Sequence, residues 1–261
     1  MLTPVEFMNR YRKLKVPVAD FCTDSYPYFW VQLRKYHLNR DNGDEAARRG
    51  TVTPDSENHK WLRSNEQRVR NAGMGKGAPE DYELALEWAV RSKMISNVTP
   101  SKLQLHCDQH LGIDCSGFVM NYLIACGKSK PTNEMARNNT VRSGAYLHYA
   151  KWNSVNDHTQ IMMGDLLVWM KDDNSVKEPP GWHVALVESY RPVPESTKRG
   201  TLHVVEACDV GTMQQPCESE YTVEDNIPKG VNGAPVMILA IRRTRPQLSG
   251  AGQHRVSIRR I

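Results

Sequence analysis

The strongest constraint on what this chain can become is a change of texture near residue 160. Beyond it come four short apolar runs, residues 165–170 (DLLVWM), 183–190 (HVALVESY), 201–207 (TLHVVEA) and 236–242 (VMILAIR). They are rich in β-formers and bounded by Gly, Pro and charged turns, which is how strands read. Before residue 160 the spacing is helical. Residues 3–14 read as a short helix with Thr3 at the cap and Pro4 in the first turn. Residues 79–92 (PEDYELALEWAVRS) form a strong one, with proline and acids at the start and arginine near the end. Helices first and strands afterwards predict an α+β protein, with helices packed on one antiparallel β-sheet.

Other stretches are less regular. Residues 26–36 hold five aromatics and read as a helix with its aromatic face on the core, or as a carbohydrate-stacking surface. Residues 39–77 are the most polar and read as a surface excursion with a short helix over 58–71. Their GMGKG lacks the spacing of a phosphate loop. Residues 128–160 are polar, with a short helix near 144–152. The basic end after Arg242 reads as a solvated tail or a last edge strand. This gives a helical N-terminal extension with a polar loop region over 1–100, a core over 101–245 and a basic tail over 246–261.

Within the core, LGIDCSGFVMNYL (residues 111–123) puts Cys115 where a turn enters an amphipathic helix. Gly112 permits the tight entry, and Asp114 and Ser116 are side chains that cap helix starts. Phe118, Val119, Tyr122, Leu123 and Ala125 recur at helical spacing, and Gly127 is a stop. A cysteine in a first turn meets free N–H groups and the positive end of the helix dipole, which favour a thiolate. The plainer reading is a buried structural thiol.

A thiol nucleophile needs a base, and the base needs an orienting partner. Of nine histidines, His183 has the most suggestive setting, opening a strand straight after PPGW. An ordinary strand-entry histidine is the alternative. On the next strand Glu206 sits among Val204, Val205 and Ala207, a costly place for a carboxylate without a partner. An imidazole would satisfy it and fix the ring's tautomer. His203, three positions away, would face the other side of the sheet.

These strings together (DCSGFV over 114–119, GDLL over 164–167, HVALV from His183, VVEA carrying Glu206) resemble the NlpC-type cell-wall cysteine peptidases and their CHAP amidase relatives, a papain-like group. A glutamate in the third position looks more like the CHAP branch. The resemblance spans residues 111–207 and implies a papain-like α+β fold with Cys115, His183 and Glu206 as catalytic residues. It implies that Asp114 and Ser116 contact substrate, including a free amine of a peptide stem. The substrate class implied is peptidoglycan, cut at a γ-D-glutamyl–diamino acid bond or at the muramoyl–alanine amide, with no metal or organic cofactor. The chain departs from the group in the long KDDNSVKEPPGW insertion before His183. It has no clear equivalent of a substrate-binding tyrosine upstream of the cysteine. The first hundred residues match no wall-binding repeat.

Composition excludes more than it proposes. A net charge of +5, mixed along the chain, argues against nucleic acid as a partner, and no run is long and apolar enough for a membrane span. His106, Cys107, His110 and Cys115 match no zinc spacing. Cys208 and Cys217 flank a short loop and can pair in an oxidising compartment. The N-terminus lacks the apolar segment of a signal peptide, which predicts cytoplasmic synthesis, with any delivery to the cell wall needing another route and a delivery or immunity partner. Two rival functions stand beside the hydrolase: a thiol acyltransferase or deamidase acting on a protein, and a non-catalytic relative.

Overall fold

The computed structural model describes residues 2–18, 27–36, 56–128, 153–171, 183–193, 196–209, 215–231, 234–245 and 252–260. The expected helix over 144–152, most of the polar excursion before residue 56, and PPGW lie outside them. The chain divides into two compact units: Met1–Phe7, Tyr122–Val210 and Cys217–Ile261 form one, and Met8–Asn121 with Gly211–Pro216 the other.

The second unit is mainly helical. It takes in the second half of α1 (Pro4–Tyr11), most of α5 (Cys115–Ala125), a two-stranded antiparallel sheet of β1 (Leu14–Pro17) and β2 (Tyr28–Val31), and helices α2 (Glu57–Gly73), α3 (Pro79–Arg91) and α4 (Pro100–His110). Residues 28–31 are a strand rather than the expected helix. Their alternation puts Phe29 and Val31 inward and Trp30 outward, the period of two that the aromatic-rich reading passed over. Caps define the helices: Ser56 accepts from the His59 N–H at 3.2 Å and Thr99 from the Lys102 N–H at 3.3 Å. Tyr11, Tyr82 and Phe118 meet in the core, with Tyr11 5.8 Å from the Tyr82 ring and 5.9 Å from Phe118.

The first unit is a barrel. Strands β4 (Leu166–Met170), β5 (Val184–Val193), β6 (Ser196–Glu206), β7 (Cys217–Val231), β8 (Ala234–Arg245) and β9 (Gln253–Arg260) follow one another antiparallel, and β9 pairs with both β4 and β8. Six strands therefore close into a ring, with the short β3 (Asn153–Ser154) added against the end of β9. This corrects the fold expected from the sequence: the sheet is not an open one with helices packed on it, and the papain-like α+β arrangement is not adopted. The physical reason lies in the stretch expected as a solvated tail or edge strand. QHRVSIRR carries charges at both ends, yet Val256, Ser257 and Ile258 are fully buried and its backbone is bonded on two sides.

Inward positions follow the pleat. Leu167 and Trp169, Ala185 and Val187, Leu202 and Val204, Tyr221 and Val223, Leu239 and Ile241, and Val256 and Ile258 form the barrel core. Continuing each alternation by one step leads to His183, Glu206, Ser219 and Arg243. The same pleat that buries the hydrocarbon thus delivers four polar side chains to the barrel's inward positions.

Candidate functional site

Each unit carries a polar cluster of its own. In the helical unit the cluster forms around the first turn of α5. Asp114 is its N-cap: Oδ1 accepts from the Gly117 N–H at 2.5 Å and from the Ser116 hydroxyl at 3.1 Å. Cys115 is the first helical residue and is buried, with the Tyr36 hydroxyl 3.9 Å from its sulfur. Ile113 is pinned by its N–H to the Lys35 carbonyl at 3.0 Å and by a parallel bridge to Tyr36.

GMGKG builds the other side of this cluster. Helix α2 ends at Gly73, and Gly75 takes a φ of +72°, a left-handed turn suited to glycine, with its N–H on the Ala72 carbonyl at 3.1 Å. Its own carbonyl accepts from the Asp114 N–H at 3.0 Å. The next residue, Lys76, is buried, and its ammonium contacts both the Asp114 carboxylate and the Ser116 hydroxyl. Asn121 clamps the segment by donating to the Lys76 carbonyl at 3.0 Å and the Gly117 carbonyl at 2.9 Å. The approach is so close that a Cβ on Gly117 would stand 2.3 Å from the Gly75 oxygen. The DCSG string is thereby explained locally: a cap, the thiol, a hydroxyl for the lysine, and a glycine where another backbone passes.

In the barrel unit the cluster is a chain of charge-assisted bonds. Glu206 has no solvent exposure, and its Oε2 lies 2.5 Å from His183 Nε2. Arg243 Nη2 pairs with Oε1 at 2.7 Å, and the Tyr221 hydroxyl donates to the same oxygen at 3.0 Å. Arg243 also donates to the Tyr221 hydroxyl and to Ser219 Oγ at 3.0 Å. Burial alone would push the Glu206 carboxyl up. The His183 bond and charge, the Arg243 charge and the Ser219 bond outweigh it and hold the group at about 2. Burial would likewise lower Arg243, but Glu206 and Tyr221 reverse this and its affinity for the proton rises. Trp169 stacks edge-on against the His183 imidazole, ring centres 4.6 Å apart, and fixes its plane. His203 faces away, partly exposed and 3.8 Å from Glu220, as the alternation predicts.

Of the residues singled out from sequence, His183 and Glu206 are brought together directly, and Cys115, Asp114 and Ser116 share one helix turn. Sequence reasoning missed Lys76, Tyr36, Tyr221 and Arg243. Arg243 had a signal: it is the next inward position after Met237, Leu239 and Ile241. Lys76 and Tyr36 had none, since no local pattern links them to residues 114–116. The Cys107 thiol is buried and donates to the Gln32 carbonyl at 3.6 Å, and the His106 and His110 rings lie 4.6 Å apart. Among the described residues no group of three or more His, Cys, Asp or Glu could hold a metal ion, and no helix is long and apolar enough to cross a membrane. No protein family, no curated protein and no solved structure matches the chain.

Proposed function

We propose that this chain is a cysteine hydrolase that cuts amide bonds in peptidoglycan stem peptides. The observation that carries the reading is the His183–Glu206 pair, an imidazole held at 2.5 Å by a fully buried carboxylate, in a chain whose DCSGFV string puts a thiol at a helix tip. The roles carry over from the resemblance: Cys115 is the nucleophile whose sulfur attacks the amide carbonyl carbon, and His183 is the base that takes up the thiol proton. The Cys115 backbone N–H in the first turn of α5 stabilises the oxyanion. The C–N bond then breaks, His183 returns its proton to the leaving amine, and water, activated by the same imidazole, frees the acid from the thioester. Glu206 orients the ring throughout and stabilises it when protonated. The substrate class rests on the resemblance of residues 111–207 to the NlpC and CHAP enzymes.

The test is mass spectrometry of purified peptidoglycan treated with wild type and with Cys115→Ala. New amines or stem fragments with the wild type alone support the reading; identical digests overturn it.

One observation favours a second reading, acyl transfer or deamidation on a protein target with the same nucleophile. Lys76 engages Asp114 and Ser116, the pair that the resemblance assigns to a substrate amine. An unchanged wall digest, together with loss of a glutamine amide from a protein substrate, would select this alternative.

A further inference from the structure

We propose that Arg243 is a positioning residue for His183: by neutralising Glu206 at the oxygen away from the imidazole, it lets the carboxylate hold the ring without trapping a proton on it. The inference rests on the reading of His183 as a base.

The argument starts from burial. A carboxylate with no exposure, 2.5 Å from an imidazole, draws a proton onto the ring strongly, because little solvent screens the attraction. A base that is always protonated accepts nothing. Two cations around one carboxylate alter that balance. Arg243 takes Oε1 at 2.7 Å while His183 takes Oε2, so the carboxylate's charge is shared between them. The arginine is itself held: its side chain is largely buried, its guanidinium lies 4.9 Å from the centre of the Tyr221 ring, and it donates to Ser219 Oγ and to the Cys208 sulfur at 3.6 Å. A guanidinium is always charged and presents a rigid fork, so its compensation does not lapse with pH. The titratable and charged groups around the pair come from several strands: Glu206 on β6, Tyr221 and Cys217 on β7, Arg243 on β8, Cys208 just past β6, and His254 on β9 behind Trp169.

The experiment is a side-chain NMR titration of His183 in the full chain, in a Cys115→Ala background so that no thiol ionisation intrudes. Arg243→Gln is expected to raise the midpoint by about one pH unit or more. In enzyme with Cys115 intact it is expected to lower kcat/KM near neutrality by about tenfold. Arg243→Lys, which keeps the charge, is expected to recover most of both. An unmoved midpoint in folded Arg243→Gln overturns the inference, as does an equal shift in Arg243→Lys. If Arg243→Gln does not fold, Glu206→Gln is compared with Glu206→Gln/Arg243→Gln. Matching midpoints show that Arg243 acts through the carboxylate, and differing ones overturn it. A wild type that cuts no amide overturns the proposed function, and the titration still decides on Arg243.

Discussion

The two polar clusters use the same ingredients differently. Each has a buried or nearly buried carboxylate and a basic residue distant in the chain: Asp114 with Lys76 in the helical unit, Glu206 with Arg243 in the barrel. Asp114 spends its oxygens on structure, on the Gly117 N–H, the Ser116 hydroxyl and the lysine. Glu206 spends one on an arginine and a tyrosine and aims the other at an imidazole. The first carboxylate builds a helix tip and the second holds an imidazole. A buried acid beside a base is therefore not by itself a sign of chemistry; what matters is whether one of its partners can change charge near neutrality.

Several substitutions break or sharpen this contrast. The largest effect is on activity. Cys115→Ala is expected to reduce amide hydrolysis by at least about a thousandfold with little change in melting temperature, read in the peptidoglycan assay. On stability, Arg243→Met is expected to cost about 3–5 kcal/mol, because it leaves Glu206 charged in a site without solvent. Lys76→Met is expected to cost about 1–3 kcal/mol, since Asp114 keeps its cap bonds and some exposure. Urea unfolding of both variants checks the order, and equal losses would erase the distinction.

Acid titration separates the clusters further. Glu206 has its folded-state value lowered to about 2 from 4.5, so its contribution is present above about pH 4.5 and fades as pH falls towards 2. That contribution is on the order of 3 kcal/mol. Melting temperatures of wild type are expected to fall across this window, and Glu206→Gln to flatten the fall. Gly117→Ala is expected to cost about 1–3 kcal/mol through the clash with the Gly75 carbonyl. At the small end, Trp30→Ala on the exposed face of β2 is expected to change stability by less than about 0.5 kcal/mol.

Part of each cluster was legible in the sequence: His183 and Glu206 in the barrel, and Asp114, Cys115 and Ser116 in the helical unit. A glutamate among valines asks for a partner, and strand alternation puts His183 and Glu206 on inward positions. Strand β7 was missed, and β9 was read only as a tail or an edge strand, because CESEYTVEDNIPKGV and QHRVSIRR carry charged residues at alternating or terminal positions that dilute their apolar content. Without β9 the sheet reads as open, which is why closure could not be foreseen. The helix at Pro100–His110 was overlooked because its Thr99 cap and Pro100 start precede a face with only Leu103 and Cys107 buried. At the α5 tip, DCSGFV identified the cap and the thiol, but Lys76 reaches them through a tertiary contact that no spacing encodes.

Closure of the ring has a further consequence. Five of the six ladders join strands consecutive along the chain; the sixth pairs β9 with β4, so β9 bridges the first and fifth staves. While it is in place, all of β4 and residues 238–242 of β8 are bonded to it and closed to a foreign segment. Losing that one stave to a protease would bare two unpaired edges at once, so a short clip would leave a protein prone to sticking to its own copies.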